Sequence, residues 1–317
     1  MNVLRYNRNI KECVEKANEL SSQRISGLSI VSTNDLKGSY LLLTTNKQRF
    51  VNQQALTKLY ELINITPVSS ESTSVYCIPE IPPIPTGAIK PTVNIFFNFY
   101  LTPSEERNAE MLATFNQNIK DELIDKIYVI RTKADTHNIK SDKIVDIITD
   151  ERPKYITMFD YINKYTSDDD INAIINSDCF FNSNFKYIVY HMKHNECYLL
   201  NRLEVVDIDD LSKSSRMVGP IDSQDGWVFK GKVHVDGGDY FMGKPGCDNK
   251  ICYDINNSSY DIINPLKSNV FLYHYHNDSY RSHMDGVDRL DRPYAFARES
   301  SINNKSEILT DFVREIP

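Results

Sequence analysis

Apolar strand segments alternate with helical segments through the middle of the chain, and this alternation limits the fold more than any other feature of the sequence. The predicted order is β-α-β-β-α-β, which is typical of an α/β protein with a doubly wound, mostly parallel, Rossmann-like sheet. The strands are predicted at residues 93–100, 124–130, 144–148 and 171–176, and the helices at about 102–120 and 155–165.

The fourth of these strands ends in the polar triplet Asn176-Ser177-Asp178. The residues before the triplet are mostly apolar and rich in β-branched side chains, which favours a strand buried on both faces. Ligands of open α/β sheets bind at the carboxyl ends of the strands, where an Asp is a natural oxygen ligand for a divalent cation that also holds phosphates. The same triplet is also ordinary turn chemistry, so both interpretations stay open at this point.

A proline-dense segment divides the chain. Residues 78–91 cannot form a helix and are predicted to be a stiff, extended linker. The linker separates a small α+β amino-terminal region, residues 1–77, from a larger domain, residues 92–317. The amino-terminal region contains no recognisable chemical motif, and its predicted elements are helices at about 10–20 and 53–63 and a strand at 40–45.

Composition limits the partners and the compartment. The 317 residues carry a net charge of -7 with the two signs interspersed, and they form no basic stripe of the kind that binds a phosphate backbone, so nucleic acid is not an expected partner. The six cysteines lack the paired spacings of zinc sites and are expected to be reduced thiols of a cytoplasmic protein. No apolar run has the length of a membrane span, so we expect no transmembrane segment.

Two charged residues lie next to predicted strands. Arg152 follows the third strand, where it can clamp a diphosphate or simply pair with Glu151 on the surface. Asp225 precedes a short strand at 226–231 that contains Trp227, the only tryptophan, and this segment can equally be core packing.

Two further clusters follow later in the chain. The turn Gly243-Lys244-Pro245-Gly246 presents Asp248 and Asn249 at a predicted helix start. His274 and His276 alternate in a predicted strand at 271–277, so they point to the same side. Each cluster alone is explained by a turn or by a half-exposed strand, but together with Asp178 and Asp225 they form the set required to hold a metal-diphosphate and to deprotonate a hydroxyl.

From about Thr92 to Arg298 the chain resembles glycosyltransferases of the GT-A fold, a family found among enzymes that assemble surface polysaccharides and virus-encoded glycans. The order and spacing of several short segments support the resemblance. These segments are Glu106-Arg107, residues 124–127, Glu151-Arg152-Pro153-Lys154-Tyr155, Asn176-Ser177-Asp178, residues 223–231, Gly243-Lys244-Pro245-Gly246-Cys247-Asp248-Asn249, Ile263-Asn264-Pro265 and residues 274–281.

The resemblance implies a nucleotide-diphosphate sugar as donor, a glycan or protein as acceptor, and Mn²⁺ or Mg²⁺ as cofactor. The acidic motif of the family is usually Asp-x-Asp, and Asn176 replaces its first acid here, which leaves Asp178 as the anionic ligand. For a virus-encoded member the expected compartment is the host cytoplasm. The implied roles are donor binding by Arg152, Asn176, Asp178 and Asn249, metal binding by Asp178, His274 and His276, and catalysis by Asp248 and Asp225, either of which can be the base.

Two other functions are compatible with the same residues. A metal-dependent phosphohydrolase would use the Asp and His ligands to activate water, although such enzymes usually carry a denser, two-metal cluster of acids and histidines. A non-catalytic module that binds a nucleotide or a sugar is the other alternative. The sequence does not decide which sugar, nucleotide or acceptor is used.

Overall fold

The computed structural model describes five strands near the amino terminus and the continuous stretches 83–216, 224–278 and 289–310. It divides into two compact units. The first contains residues 1–82 with 267–269, and the second contains residues 83–266 with 270–317. The helices predicted at 10–20 and 53–63 lie outside the described residues.

The first unit contains a five-stranded sheet. Its strands are β1 (Asn2–Arg5), β2 (Leu28–Ser32), β3 (Tyr40–Thr45), β4 (Thr66–Ser70) and β5 (Thr73–Cys77). They lie in the order β2-β3-β1-β5-β4, and the neighbours are antiparallel except for the parallel pair β1 and β5. The strand predicted at 40–45 is β3.

The second unit is built on a larger sheet. The first strands along the chain are β6 (Val93–Asn98), β7 (Lys126–Thr132), β8 (Ile144–Thr149), β9 (Ile171–Ile175), β10 (Cys179–Phe181) and β11 (Glu196–Glu204). The later strands are β12 (Ser215–Arg216), β13 (Gln224–Lys230), β14 (Asp261–Ile263) and β15 (Leu272–His274), and β16 (Ala295–Ala297) pairs separately with β17 (Ile308–Thr310).

The main path of this sheet runs β10-β15-β11-β13-β9-β6-β7-β8. The strands β8, β7, β6 and β9 are parallel neighbours, whereas β13 runs antiparallel to both β9 and β11. Beyond it, β11 pairs in parallel with β14 and β15. The unit is therefore an α/β fold with a mostly parallel, Rossmann-like sheet, as the sequence predicts.

The described residues form four α-helices, α1 (Glu105–Lys120), α2 (Tyr155–Tyr165), α3 (Phe185–His191) and α4 (Cys247–Asn257). The start of α1 is fixed by Ser104, whose hydroxyl accepts the backbone N–H of Arg107 at 3.1 Å. Two acidic residues in the first turn of α1 face the positive end of the helix dipole. The cap thus sets the position of Arg107 in the first turn.

Both faces of the central strands are buried. Along β6, Ile95 and Phe97 belong to one hydrophobic cluster and Phe96 to the other, because successive side chains of a strand point to opposite faces. Phe115 of α1 packs in the first cluster and Phe159 of α2 in the second. The two helices therefore cover opposite faces, which is the doubly wound arrangement.

The strand order reverses at β6. From β6 the sheet continues to β7 and β8 on one side, and the later strand β9 adds on the other side. In open α/β sheets the crevice outside the carboxyl ends of the strands at such a point is where ligands bind. The residues that follow β6 and β9 therefore lie at the expected ligand site.

Every helix and strand predicted between residues 93 and 176 is present, with ends displaced by a few residues. Two later elements differ. β13 begins at Gln224, so Asp225 lies within the strand and not before it. β15 ends at His274 and leaves His276 in a loop. The cause is Glu110, whose carboxylate accepts the backbone N–H of Asn277 at 2.8 Å and of Asp278 at 2.9 Å. These bonds turn the chain toward α1.

No helix among the described residues combines the length and the apolar character needed to cross a bilayer.

A fragment of residues 83–317 is expected to fold on its own. It keeps every described strand of the larger sheet, and it keeps Lys90, whose Nζ donates to Leu123 O at 2.9 Å and to the Asp125 carboxylate at 2.5 Å. Far-UV circular dichroism should record one cooperative thermal transition for the fragment. An insoluble fragment, or one that melts without a cooperative transition, would contradict this expectation.

Candidate active site

A cavity of about 570 Å³ lies at the carboxyl ends of β6 and β9. Residues that follow these two strands line one part of it, including Tyr100 and Asp178. The end of β11 contributes Arg202 and Glu204, and the turn before α4 contributes residues 243–246. The cavity therefore occupies the crevice where the strand order reverses.

Asp178 is the most strongly held carboxylate of the cavity. It is 8% exposed, and its Oδ2 contacts Arg107, lies 3.1 Å from Nε2 of His274 and lies 3.7 Å from Nδ1 of His276. Burial alone would raise the pKa of this carboxyl, but the charges of His274, Arg107 and His276 outweigh it and hold the pKa well below the usual range. Asp178 is therefore ionised.

Asp178, His274 and His276 form a group of possible metal ligands. Each offers one ligand atom, and the three atoms all lie within 4.8 Å of one another. One carboxylate oxygen and two imidazole nitrogens can occupy three positions around a single divalent cation. The structure thus brings together the three residues that the sequence suggested for this role.

A chain of ionic contacts continues from His274 along β11. Nδ1 of His274 lies 2.6 Å from Oε2 of Glu204, and Nε of Arg202 donates to Oε1 of Glu204 at 2.8 Å. Nη1 of Arg202 then donates to both carboxylate oxygens of Asp225, at 3.0 and 2.9 Å, and Oδ1 of Asp225 also accepts from Asn176 Nδ2 at 2.5 Å. Asp225 is therefore committed to a bidentate ion pair and an amide.

These ionic contacts shift the pKa values of His274 and Arg202. Burial lowers the pKa of His274, but the contacts with Asp178 and Glu204 raise it to about 9. Burial also acts to lower the pKa of Arg202, but Asp225 and Glu204 raise it above its usual value. His274 without a bound cation is an imidazolium at neutral pH, with one N–H for each carboxylate.

The cavity has an excess of positive charge. Among the described lining residues there are five Arg or Lys side chains and four carboxylates. Arg107 and Arg202 pair with acids, but none of the described carboxylates forms an ion pair with Arg152, Lys244 or Arg289. Those three cations can pair with an anionic ligand.

Arg152 lies inside the cavity wall. Its guanidinium stacks over the ring of Tyr100, 5.1 Å from the centroid, and its buried Nε makes no hydrogen bond within the described structure. The surface pair with Glu151 that the sequence allowed is not formed. A partly buried guanidinium without an acid partner is well suited to a phosphate group.

The start of α4 presents Asp248 to the cavity. Gly246 precedes the helix with φ at 84°, and a Cβ at this position would lie 2.7 Å from the hydroxyl of Tyr294. Glycine is therefore required for both conformation and space. Asp248 in the first helical turn is partly exposed and accepts from Cys247 Sγ at 3.2 Å.

Of the predicted site residues, all but Asn249 line the cavity. These are Arg152, Asn176, Asp178, Asp225, Asp248, His274 and His276. Asn249 is one residue beyond Asp248 on α4, about 100° around the helix, and its side chain is 3% exposed and turned toward the protein interior. Its Nδ2 has no hydrogen-bond partner among the described residues.

Among the residues of the site that were missed from the sequence are Arg289, Arg107, Arg202 and Glu204. A signal for the last two exists, because they are charged, lie two positions apart and end an otherwise buried strand, so they share one face. Arg107 is harder to identify. It is 2% exposed and reaches Asp178 from another element, 71 residues away in sequence.

No protein-family model and no curated protein matches the chain. Solved structures do match, and three of them each have a TM-score of 0.32. A 2-C-methyl-D-erythritol 4-phosphate cytidylyltransferase of Francisella tularensis is 14% identical, with 44% of this chain and 72% of that chain covered. A 4-diphosphocytidyl-2C-methyl-D-erythritol synthase of Anaerococcus prevotii is 12% identical, with 44% of this chain and 70% of that chain covered. A protein of Bacillus anthracis described as a glucose-1-phosphate thymidylyltransferase is 15% identical, with 59% of this chain and 87% of that chain covered.

The names of these three proteins describe nucleotidyltransferases rather than glycosyltransferases. A likeness this remote assigns no activity to the chain. The chemistry of the site has to be inferred from its own geometry.

Replacing Asp225 with Ala is expected to lower the free energy of unfolding by about 3 kcal/mol, because it leaves Arg202 and Asn176 without their shared acceptor. Urea unfolding of the two proteins measures the difference. Asp239→Ala is the matched control, since Asp239 is an exposed acid that pairs with Lys154 at the surface and its loss should leave the midpoint unchanged. Equal midpoints for Asp225→Ala and wild type would show that the Arg202 pair contributes nothing.

Proposed function

We propose that the protein is a glycosyltransferase that moves a sugar from a nucleotide-diphosphate sugar to a hydroxyl of a glycan or protein acceptor. One observation carries the proposal. A single cavity at the reversal point of the sheet contains a carboxylate-imidazole group, three cations that do not pair with described acids, and the partly exposed carboxylate of Asp248. The first two features suit a metal-diphosphate, and the third suits the removal of a proton.

The donor's diphosphate is held by the cations of the cavity. Arg152, Lys244 and Arg289 supply positive charge that no described acid neutralises through an ion pair. Arg107 adds a fixed guanidinium beside Asp178, because its Nη1 donates to Glu110 at 3.1 Å and to Tyr275 O at 3.1 Å. Charge that develops on the diphosphate as the sugar leaves is stabilised by these groups without their reorganisation.

A divalent cation fits Asp178, His274 and His276. Of the two ions implied by the family resemblance, Mn²⁺ suits this donor set better, because Mg²⁺ prefers oxygen ligands and two of the three atoms are imidazole nitrogens. A cation held by these three residues would neutralise charge on the diphosphate and improve it as a leaving group. His274 has to lose the proton on Nε2 before this nitrogen can be a ligand.

Asp248 is the base in this proposal. Both oxygens of Asp225 accept from Arg202, and Asp225 is 2% exposed, so taking up a proton there would break a buried ion pair. Asp248 lies on the cavity wall with access to solvent. Asp225 instead fixes Arg202 and Asn176 in the cavity floor.

The reaction then needs one proton acceptor. The acceptor hydroxyl oxygen attacks the anomeric carbon of the donor, and Asp248 takes the hydroxyl proton. The bond between the anomeric carbon and the diphosphate oxygen breaks, and its electron pair leaves with the nucleoside diphosphate. A positioned base of this kind contributes roughly two to four orders of magnitude in rate.

The metal-dependent phosphohydrolase is less compatible with the site. Two-metal hydrolases need a second set of acids and histidines near the first. Within the described stretches, Asp178, His274 and His276 are the one group of three such ligands that comes together. The carboxylates of Glu204 and Asp225 are engaged by His274 and by Arg202.

The proposal predicts release of a nucleoside diphosphate from at least one nucleotide sugar in the presence of Mn²⁺. Incubation with a panel of nucleotide sugars, followed by chromatography of the nucleotides, measures the release, and a suitable acceptor should increase the rate. Release of inorganic phosphate or a nucleoside monophosphate instead would favour the hydrolase, and an inert panel would favour a binding module.

The Asp178→Ala variant should lose Mn²⁺-dependent donor binding in calorimetry while remaining folded.

The Asp248→Asn variant is expected to lower the turnover of transfer by at least about a hundredfold with little change in donor affinity, because Asn keeps the shape but cannot take the proton. Steady-state kinetics and calorimetry separate the two effects. Asp239→Asn is a useful control, since this exposed acid pairs with Lys154 and does not line the cavity. Near-normal turnover in Asp248→Asn would remove Asp248 from the mechanism.

A further inference from the structure

Glu204 and His274 lie side by side on neighbouring parallel strands. The register of β11 and β15 pairs Glu204 with His274, and the N–H of Val205 donates to the carbonyl of His274 at 2.8 Å. The side chains meet as well, with Oε2 of Glu204 2.6 Å from Nδ1 of His274. The sheet itself therefore holds the carboxylate against one nitrogen of the ring.

The opposite nitrogen of His274 faces Asp178. Nε2 lies 3.1 Å from Oδ2 of Asp178, within the group that also contains His276. A carboxylate that accepts from Nδ1–H fixes the neutral ring in the tautomer whose Nε2 carries the free lone pair. In metal sites such a contact orients the ring and raises the basicity of the ligand nitrogen.

Glu204 is itself held in place. Its Oε1 accepts from Nε of Arg202 at 2.8 Å, and Arg202 is anchored through Nη1 by both oxygens of Asp225. The two oxygens of Glu204 therefore have different partners, one on Arg202 and one on His274. Rotation of the carboxylate would break both contacts. The orientation of the His274 ring on β15 is therefore fixed by Glu204 and Arg202 on β11 and, through Arg202, by Asp225 on β13.

We propose that Glu204 is a positioning residue that orients His274 as a ligand for a divalent cation, with Arg202 and Asp225 as its support. This inference rests on the cation-binding part of the proposed function. It concerns affinity for the metal rather than contact with the sugar. It also predicts an indirect effect of Arg202 and Asp225 on metal affinity. Arg202 holds Glu204, and Asp225 holds Arg202.

Mn²⁺ binding to the full chain tests the inference without a donor, an acceptor or turnover. The dissociation constant is measured by electron paramagnetic resonance of free Mn²⁺ and by calorimetry. Glu204→Ala removes the acceptor and is expected to weaken Mn²⁺ binding about 10- to 100-fold. Glu204→Gln keeps an oxygen acceptor for Nδ1–H without the charge, and it should keep most of the affinity that Ala loses.

Asp146→Ala is the matched control. Asp146 also contacts a histidine and an arginine, with Oδ1 3.2 Å from Nε2 of His137 and 2.7 Å from Nε of Arg131, but it lies on β8 and does not line the cavity. Its loss should leave the Mn²⁺ dissociation constant unchanged. Thermal unfolding of each variant in metal-free buffer confirms that the compared proteins are folded.

Each outcome has one meaning. A wild-type protein that binds Mn²⁺, with Glu204→Ala weakened and Glu204→Gln largely restored, supports the positioning role. Equal affinity of wild type and Glu204→Ala overturns this inference alone, and equal losses in Ala and Gln overturn it in favour of a simple charge effect. A wild-type protein that binds no Mn²⁺ overturns both this inference and the metal part of the proposed function.

Discussion

The burial of the Asp178 carboxylate is the constraint on which the rest of the site depends. A charge at the end of a strand inside the protein is costly unless it is paired and hydrogen bonded. Arg107 from the first turn of α1 and His274 from β15 provide that compensation, with His276 from the loop beyond. Three separate elements are therefore drawn to the carboxyl end of β9.

The antiparallel strand β13 extends this arrangement. By inserting between β9 and β11, it brings Asp225 next to Asn176 on one side and within reach of Arg202 on the other. The floor of the cavity becomes a continuous ionic chain. Its acids are satisfied by the protein, and no described acid forms an ion pair with Arg152, Lys244 or Arg289, which are the cations that we propose bind the diphosphate.

In the proposed function, this division of charge separates the acids that hold other side chains from the acid that takes the proton. Carboxylates with two or more strong partners, such as Asp225 and Glu204, hold other side chains in position. Asp248 differs because it begins a helix at the cavity wall, where a glycine in the left-handed region allows the chain to turn closely past Tyr294. Similar acids are thus proposed to have different roles because their surroundings differ.

The sequence by itself determined the alternation of strands and helices, and seven of its eight candidate site residues, all except Asn249, line the cavity. Those features are local, since they depend on periodicity, on turn residues and on polar groups at strand ends. Only the tertiary structure decided that Arg107 reaches Asp178, that Arg202 engages Asp225, and that Asn249 turns inward. These contacts join segments far apart in sequence. Whether such residues meet depends on strand order and on burial, and neither can be read from one segment of the sequence.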